Sequence, residues 1–565
     1  MVLFQRQLAS IYLRGLALAV LCGILGALAA QFFRWATDAA SELLFDSAAD
    51  ITGILAHVSW QTRLLVPAAG GAIAGAILLL ARRYERQGGP PVDYLEIIDS
   101  RVGRIPVAAS LLRCLSSFFS IVSGGSVGKE GAMVQLSATA ASALAGRLGG
   151  GDGERTQLII AMAATGGLAA VYHTPLAAAI FIAEIAFGGL ELWRIGFLFA
   201  AAVAATWVVS LMGQYTPLYA LPPYHFDVQG EAMIAVIAVG IAAGAVGAAF
   251  LASIRVSRSL FARLPGSVLA RMTAGGLIVG AVLIAAPDVA GNGFAPLSRL
   301  LSGAPLAEPL LVLLVLKIVA TAATVGAGAI GGLFTPSLLL GALVGVAGAP
   351  LLAHYLGLPE IAVVLGVAGM AASLAAATQA PLMSTLMVFE MTQEPTFIFP
   401  IMLATVVAYV TSNMLGQTGM YAVIARHRAR FASRNSLYDA TVRRLMRPAD
   451  RLVPSDATPA AAREAGMAHK NRFVFLVGPG QVFAGTVSMH DLMSLPASAA
   501  GAALADMADT AFPVVYADQK VVEAWETVIA SPAERTPVLS DAQERKVIGF
   551  LQKSDLLKEA RHLLP

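Results

Sequence analysis

A lysine and a glutamate sit side by side between glycines at Gly128-Lys129-Glu130-Gly131, ahead of Ala132-Met133-Val134-Gln135. Apolar sequence flanks them. A run ending in Ile121-Val122-Ser123-Gly124-Gly125-Ser126 comes before, and the stretch from Ala132 to Leu148 comes after. Ionisable groups at membrane depth are costly and mark functional sites by default. Glycine lets backbone N–H groups come close to a ligand. A helix starting near Gly131 points its free N–H groups and positive end at the glycine turn, which makes an anion site. Glu130 is itself an anion placed there, so it competes for the site with a permeating anion. A glutamate that only caps a helix would carry the same motif. The apolar setting and a matching element in the second half favour the anion site.

That element is Gly331-Gly332-Leu333-Phe334-Thr335-Pro336, at an offset of 334 − 130 = 204. Thr335 suits an N-cap and Pro336 the first helical position. A second helix start, carrying Phe334, is therefore expected to face the first. Two positive helix ends meeting at mid-membrane hold a desolvated anion without a full charge, and Phe334 can form part of a constriction.

The halves repeat more widely. Ala68-Ala69-Gly70-Gly71 matches Thr273-Ala274-Gly275-Gly276, with 273 − 68 = 205. Leu168-Ala169-Ala170, Pro175-Leu176 and Glu184 match Leu374-Ala375-Ala376, Pro381-Leu382 and Glu390, with 374 − 168 = 206. Repeated halves with interrupted helices mark a transporter fold whose site lies at the repeat interface. The sequence leaves open whether the repeats are inverted.

Bulk properties agree. The chain has 565 residues, 57% hydrophobic and 13% charged, with mean hydropathy +0.73. It reads as an all-α polytopic membrane protein over most of its length. A net charge of +3 gives no sign of nucleic-acid binding. Cys22 and Cys114 lie in apolar runs and read as small core residues. The first apolar run continues into Gln31-Phe32-Phe33-Arg34-Trp35 without a small-residue cleavage site, so no cleaved leader is expected. Residues 1–14, with Arg6 and Arg14, read as a basic cytoplasmic lead-in. A long helix at 15–45 and a span from Pro67 to Leu80 follow. The polar segment 84–106 is a loop or a short helix. Segments at 107–122, 132–148, 156–171, 175–188 and 194–212 come next. Several are shorter than the roughly 20 residues a bilayer requires. Residues 213–231 form a polar linker.

Together these residues resemble the CLC family of voltage-gated chloride channels and chloride/proton exchangers, over roughly residues 15–432. Gly128-Lys129-Glu130-Gly131 resembles the family's G-[KR]-E-G-P signature, and Gly332-Leu333-Phe334-Thr335-Pro336 its G-x-F-x-P signature. Tyr421 falls where the family has a pore tyrosine. The resemblance implies an inverted-repeat helical bundle, a homodimer with one pore per subunit, and chloride as transported ligand. It makes Glu130 the gating glutamate. The N–H groups of Leu333 and Phe334 and the Tyr421 hydroxyl become anion ligands, in a site formed with Gly128, Lys129, Gly131, Gly332 and Gly89.

Three positions depart from the family. Its G-S-G-I-P element should fall near residue 89, where this chain reads Gly88-Gly89-Pro90-Pro91. The serine hydroxyl is missing, and backbone alone must serve there. Ala132 stands at the last proline of G-[KR]-E-G-P. The exchangers' internal proton-transfer glutamate is Ile185 here, after Phe181-Ile182-Ala183-Glu184. Isoleucine carries no proton, which favours passive conduction over anion/proton exchange. A carboxyl at Glu130 can still take up protons, so exchange of chloride or fluoride for protons stays open. His173, in the break before Pro175, either fills the break or relays protons in place of the missing glutamate. Glu184 and Glu390 read as hydrogen-bonded structural groups. Lys317 and Arg113 read as cations that snorkel or pair. No HExxH, no GxSxG in a fitting context and no metal-spaced His/Cys cluster is present, which argues against an enzyme, a metal site or a required cofactor.

The tail differs. Residues 426–434 are basic, which places them on the cytoplasmic side. Beyond them, Gly485-Thr486-Val487-Ser488-Met489-His490-Asp491-Leu492 matches Gly549-Phe550-Leu551-Gln552-Lys553-Ser554-Asp555-Leu556. This resembles a tandem pair of CBS domains, small α/β units in which a Ser/Thr and an Asp after a strand bind adenine nucleotides. Ser488, Asp491 and Asp555 are the candidates, against a ligand-free dimerising scaffold. The expected organisation is a lead-in at 1–14, membrane halves at 15–215 and 232–432 joined by a linker at 216–231, and α/β domains at 438–496 and 502–562. The expected setting is a bacterial inner membrane, with the tail cytoplasmic and lipid around the bundle.

Overall fold

The computed structural model describes residues 2–45, 50–85, 92–100, 103–147, 153–222, 230–358, 361–421, 440–449, 452–468, 472–496 and 503–560. Residues 1–425 and 426–565 form two units, each described by itself.

The first unit is helical. Its first half holds α1 (Val2–Phe45), α2 (Ile51–His57), α3 (Trp60–Tyr84), α4 (Tyr94–Ser100), α5 (Val107–Val122), α6 (Glu130–Arg147), α7 (Gly153–Tyr172), α8 (Pro175–Phe181) and α9 (Leu192–Leu211). The second half holds α10 (Gly230–Arg263), α11 (Val268–Ala285), α12 (Phe294–Leu301), α13 (Leu310–Ala327), α14 (Phe334–Leu356), α15 (Ala362–Thr378), α16 (Pro381–Thr392) and α17 (Ile398–Met414). Among the described residues, eight helices are long and apolar enough to cross a membrane. The short α8 runs directly into a π-helical turn at Ile182–Phe187, an interruption of the kind that gathers at functional sites. One expectation changes and one open alternative is decided. α1 begins at Val2, so the basic lead-in is the first part of a helix. The polar segment before α5 contains a short helix, α4.

One crossing settles the relation between the halves. A Cβ on Gly71 would lie 2.4 Å from the Met272 carbonyl, and one on Gly276 would lie 2.2 Å from that of Pro67. The pairs 71 with 272 and 67 with 276 are equivalent at an offset of 205, so the contact is isologous, as a two-fold axis requires. Further along, Gly75 meets Leu269 and Gly280 meets Leu64. Partner numbers fall as residue numbers rise, so α3 and α11 run antiparallel. Equivalent spans of opposite direction make the repeats inverted. Only glycine allows two backbones this close, as in small-residue packing of membrane helices.

Two carboxylates extend the symmetry. Glu184 accepts a hydrogen bond from Met383 N (3.0 Å) at the start of α16. Glu390 accepts from Leu176 N (3.0 Å) and Ala177 N (2.8 Å) at the start of α8. Each half thus caps a helix of the other, where free N–H groups need acceptors. Both glutamates are structural, as the sequence suggested.

The second unit is two small α/β modules. One sheet has the order β2 (Leu452–Pro454), β3 (Phe473–Val477), β4 (Phe483–Ser488); the other runs β1 (Arg447–Pro448), β7 (Val547–Gln552), β6 (Arg535–Leu539), β5 (Val515–Tyr516). Helices α18 (Val442–Leu445), α19 (Pro459–Ala468), α20 (Met489–Ser494), α21 (Val521–Ala530) and α22 (Lys553–Ala560) complete it. The expected boundaries need correction, because the leading segments are exchanged. β1 pairs with β7, and Ala440, Val442, Val515, Val521 and Leu551 share one core. Conversely, Leu504 packs with Val453, Val474 and Val487, and Thr486 and Asp509 exchange backbone hydrogen bonds of 3.1 and 2.8 Å. Residues 440–449 therefore belong to the second module and residues 504–509 to the first.

Candidate functional site

The helix starts at Glu130 and Phe334 meet. Gly128 N donates to Gly332 O and Gly332 N to Gly128 O, both at 2.8 Å. The two residues differ by 204 and are equivalent, so this two-bond bridge lies on the pseudo-two-fold axis. The first backbone bonds inside the helices are Met133 N to Lys129 O (3.1 Å) and Ser337 N to Leu333 O (3.0 Å). The N–H groups ahead of them face out of the helix ends. The expected cap is corrected here. Leu333 precedes the first helical residue and makes no side-chain cap, and α14 opens with Phe334, Thr335 and Pro336 in that order. Pro336 in the first turn removes an N–H that had no helical partner. Thr335 is left free to use its hydroxyl elsewhere.

It uses it on Glu130. The carboxylate is 3% exposed. Its Oε1 accepts from Thr335 Oγ1 and from Asn292 Nδ2 (3.1 Å). Asn292 is fixed in that orientation because its Oδ1 accepts from Phe294 N (3.1 Å). Thr335 Oγ1 lies 3.3 Å from the Tyr172 hydroxyl. Oε2 of Glu130 is buried and has no partner among the described residues. It rests over the glycine turn: a Cβ on Gly128 would meet it at 1.8 Å and one on Gly332 at 2.8 Å.

Phe334 sits in an aromatic cluster. Its ring centre lies 5.5 Å from Phe181, 6.0 Å from Tyr172 and 6.4 Å from Tyr421. Phe181 and Tyr421 are 5.7 Å apart. Four rings at these distances narrow any path past the helix ends. The structure thus brings Gly128, Glu130, Gly131, Gly332, Leu333, Phe334 and Tyr421 together. Gly89 lies outside the described residues. Lys129 does not join the cluster; its ammonium is 3.6 Å from Asp38. Both line a cavity of about 930 Å³ that also has Arg34, Gln214 and Asn292 in its wall. This vestibule borders the site, since its wall contains Lys129, next to Glu130 in the chain, and Asn292, which holds the carboxylate.

Lys317 does not snorkel. It is fully buried, and Nζ donates to Val289 O and Gly291 O, both at 2.8 Å. A cation on two carbonyls pins the loop that carries Asn292. Arg113, at the equivalent place in the first half, pairs with Glu85 at 3.4 Å and is partly exposed. His173 has φ 58°, and its Nδ1 is 2.9 Å from Thr216 O. It packs on Tyr215, next in the chain to Gln214 of the vestibule wall. That places it on the vestibule side, away from Ile185 in the π-helical turn after Phe181. Sequence reading missed Asn292, Tyr172 and Phe181. The one available signal was a polar Asn between glycines, Gly291-Asn292-Gly293, ahead of a short apolar helix.

In the tail, Ser488 accepts from His490 N (3.1 Å) and caps α20, and Asp491 is exposed in the first turn. Asp555 is engaged differently, held by Arg447 through bonds of 2.7 and 2.9 Å. Among the described residues, no cluster suited to a metal is found.

Residues 70–413 match the family model described as voltage gated chloride channel. A ClcB-like chloride channel protein of Ralstonia nicotianae is 38% identical over 419 residues, covering 73% of this chain and 97% of its own. The voltage-gated ClC-type chloride channel ClcB of Salmonella typhimurium is 38% identical over 415 residues, covering 72% and 98%. Among solved structures, a slow cyanobacterial Cl−/H+ antiporter aligns with TM-score 0.63 at 23% identity over 74% of this chain and 98% of that one. A eukaryotic CLC transporter aligns with TM-score 0.62 at 17% identity, over 96% and 98%. At these identities the structural likeness speaks for the fold.

Proposed function

The chain belongs to the CLC family of voltage gated chloride channels, and we propose that it conducts chloride and similar small anions passively across a membrane, gated by Glu130. The observation that carries the gate is the seat of Glu130. A buried carboxylate lies over a bridge joining two helix starts, held by neutral donors with no cation within ion-pair distance among the described residues. Such a seat suits any monovalent anion, and the carboxylate is the one already tethered there. The N–H groups of Leu333 and Phe334, with the Tyr421 hydroxyl, serve as anion ligands further along the path.

Protonation removes the charge for which the seat is built, and an incoming anion competes for the same seat. Either event releases the side chain and opens the path. Flux therefore rises as external pH falls. In proteoliposomes, Glu130→Gln should conduct with no pH dependence; flux that still tracks pH as steeply as wild type would refute the gate.

Passive conduction rests on Ile185. The carboxylates nearest to it in the sequence and in the repeat, Glu184 and Glu390, are occupied in capping α16 and α8. A second reading, anion/proton exchange, is favoured by Asp93, a carboxyl within electrostatic reach of Tyr421 and Arg113. Proton uptake driven by an imposed chloride gradient at clamped voltage decides between them: uphill proton movement means exchange, and chloride flux alone means a channel. We further infer a homodimer with one pore per subunit in a bacterial inner membrane. The tail is cytoplasmic, and its two modules read as CBS domains with Ser488 and Asp491 as adenine-nucleotide contacts.

A further inference from the structure

The donors that hold Glu130 are side chains, and the gate reading does not account for them. Thr335 offers a hydroxyl aligned by the Tyr172 hydroxyl. Asn292 offers an amide whose other end is occupied by Phe294 N, so it can only donate toward Glu130. Lys317 fixes the backbone that leads into Asn292 through Val289 O and Gly291 O. None of these bonds is required by the helix starts, which the Gly128–Gly332 bridge already joins. One further group faces the same space. Tyr219, from the linker between the halves, is 1% exposed. Its ring packs on Phe294 at 5.3 Å. Its hydroxyl has no partner among the described residues and lies within electrostatic reach of Glu130 and Tyr172. A buried hydroxyl without a partner is costly. Glu130 Oε2, the carboxylate oxygen within that reach, has no partner among the described residues either.

We propose that Thr335, Asn292 and Tyr219 are side-chain ligands of an anion site that Glu130 fills when the path is shut and a small permeant anion fills when it is open. The proposal rests on Glu130 being the gate. The site is built from neutral, directional donors. Once Glu130 swings away, Thr335 Oγ1 and Asn292 Nδ2 keep their orientation, because Tyr172 and Phe294 N hold them rather than the carboxylate. An anion arriving from the vestibule meets two aligned donors and the Tyr219 hydroxyl. The titratable groups that face Glu130 are Lys317, Tyr172, Tyr219 and Tyr421. Lys317 is spent on the loop carbonyls and Tyr172 on Thr335, which leaves the Tyr219 and Tyr421 hydroxyls to meet an anion.

The test is chloride flux in proteoliposomes as a function of chloride concentration, in a Glu130→Ala background that empties the seat. Thr335→Val and Asn292→Leu keep size and remove the donor. Each should raise the half-saturating chloride concentration about tenfold, the scale of losing a hydrogen bond to a charged group. Tyr219→Phe should raise it about threefold, and Thr335→Ser should restore the parent value within about twofold. Unchanged half-saturation in Thr335→Val and Asn292→Leu, both folded and conducting, overturns the site while leaving the gate intact. Wild-type pH dependence in Glu130→Ala overturns the gate itself, and with it the occupant assigned to the site. Should Thr335→Val fail to fold, Asn292→Leu and Tyr219→Phe decide by the same measurement: raised half-saturation supports the site and unchanged half-saturation overturns it.

Discussion

The two halves of the membrane unit meet the same structural demands with equivalent residues and differ where chemistry is done. Gly71 and Gly276 make the same backbone contact. Glu184 and Glu390 cap the same turn in each other's half. His173 and Gln379 take the same left-handed turn, at φ 58° and 61°. Glu130 and Phe334 also occupy one position, and there a carboxylate faces a ring. Thr335 falls opposite Gly131, and buried Lys317 opposite partly exposed Arg113. Duplication explains the shared set, because an inverted fold needs each crossing and cap twice. The unshared set has no such cause, and it contains Glu130 and Thr335, the residues to which we assign the proposed gate and anion site.

The equivalence of the halves can be challenged at several points. The largest effect is expected at the crossing: Gly71→Val or Gly276→Val drives a side chain into a carbonyl and should cost about 3 kcal/mol or more. Loss of monodisperse protein in detergent reports it, and unequal losses from the two variants would contradict a true two-fold contact. Next, Lys317→Met strands two buried carbonyls and should cost about 2 kcal/mol in thermal unfolding, whereas Arg113→Met should cost under about 1 kcal/mol. Similar costs would mean the two cations do the same work. Glu184→Ala and Glu390→Ala each remove a cap, worth about 1–2 kcal/mol, and should agree closely. The smallest effect belongs to His173→Gln, which copies the second half. It should move stability by under about 0.5 kcal/mol, and a larger shift would show that the imidazole does more than complete a turn.

Sequence alone reached what is written locally. Glycine pairs, Pro at helix starts and the offset near 205 gave the repeat, the breaks and the facing positions of Glu130 and Phe334. It did not reach what depends on contact through space. The inversion of the repeats shows only when Gly71 is seen against Met272 rather than against its own equivalent. Asn292 and Tyr219 sit in connecting segments with no periodicity, and only folding brings Asn292 onto Glu130 and Tyr219 against Phe294. Thr335 read as a cap because Thr is common there; the start of α14 two residues earlier, at Phe334, released it. In the tail, the strands and the repeat were legible. The exchange of leading segments was not, since either module supplies a suitable edge for a two-residue strand.

That exchange sets how the tail bears load. The first described residues of the tail, Ala440 and Val442 among them, pack in the core of the second module, and β1 is zipped along β7. A pull on Ala440 therefore reaches the second module before the first. It shears β1 from β7 and strains the Arg447–Asp555 clamp, so the last strand of the protein acts as the anchor bolt for the first residues of its tail.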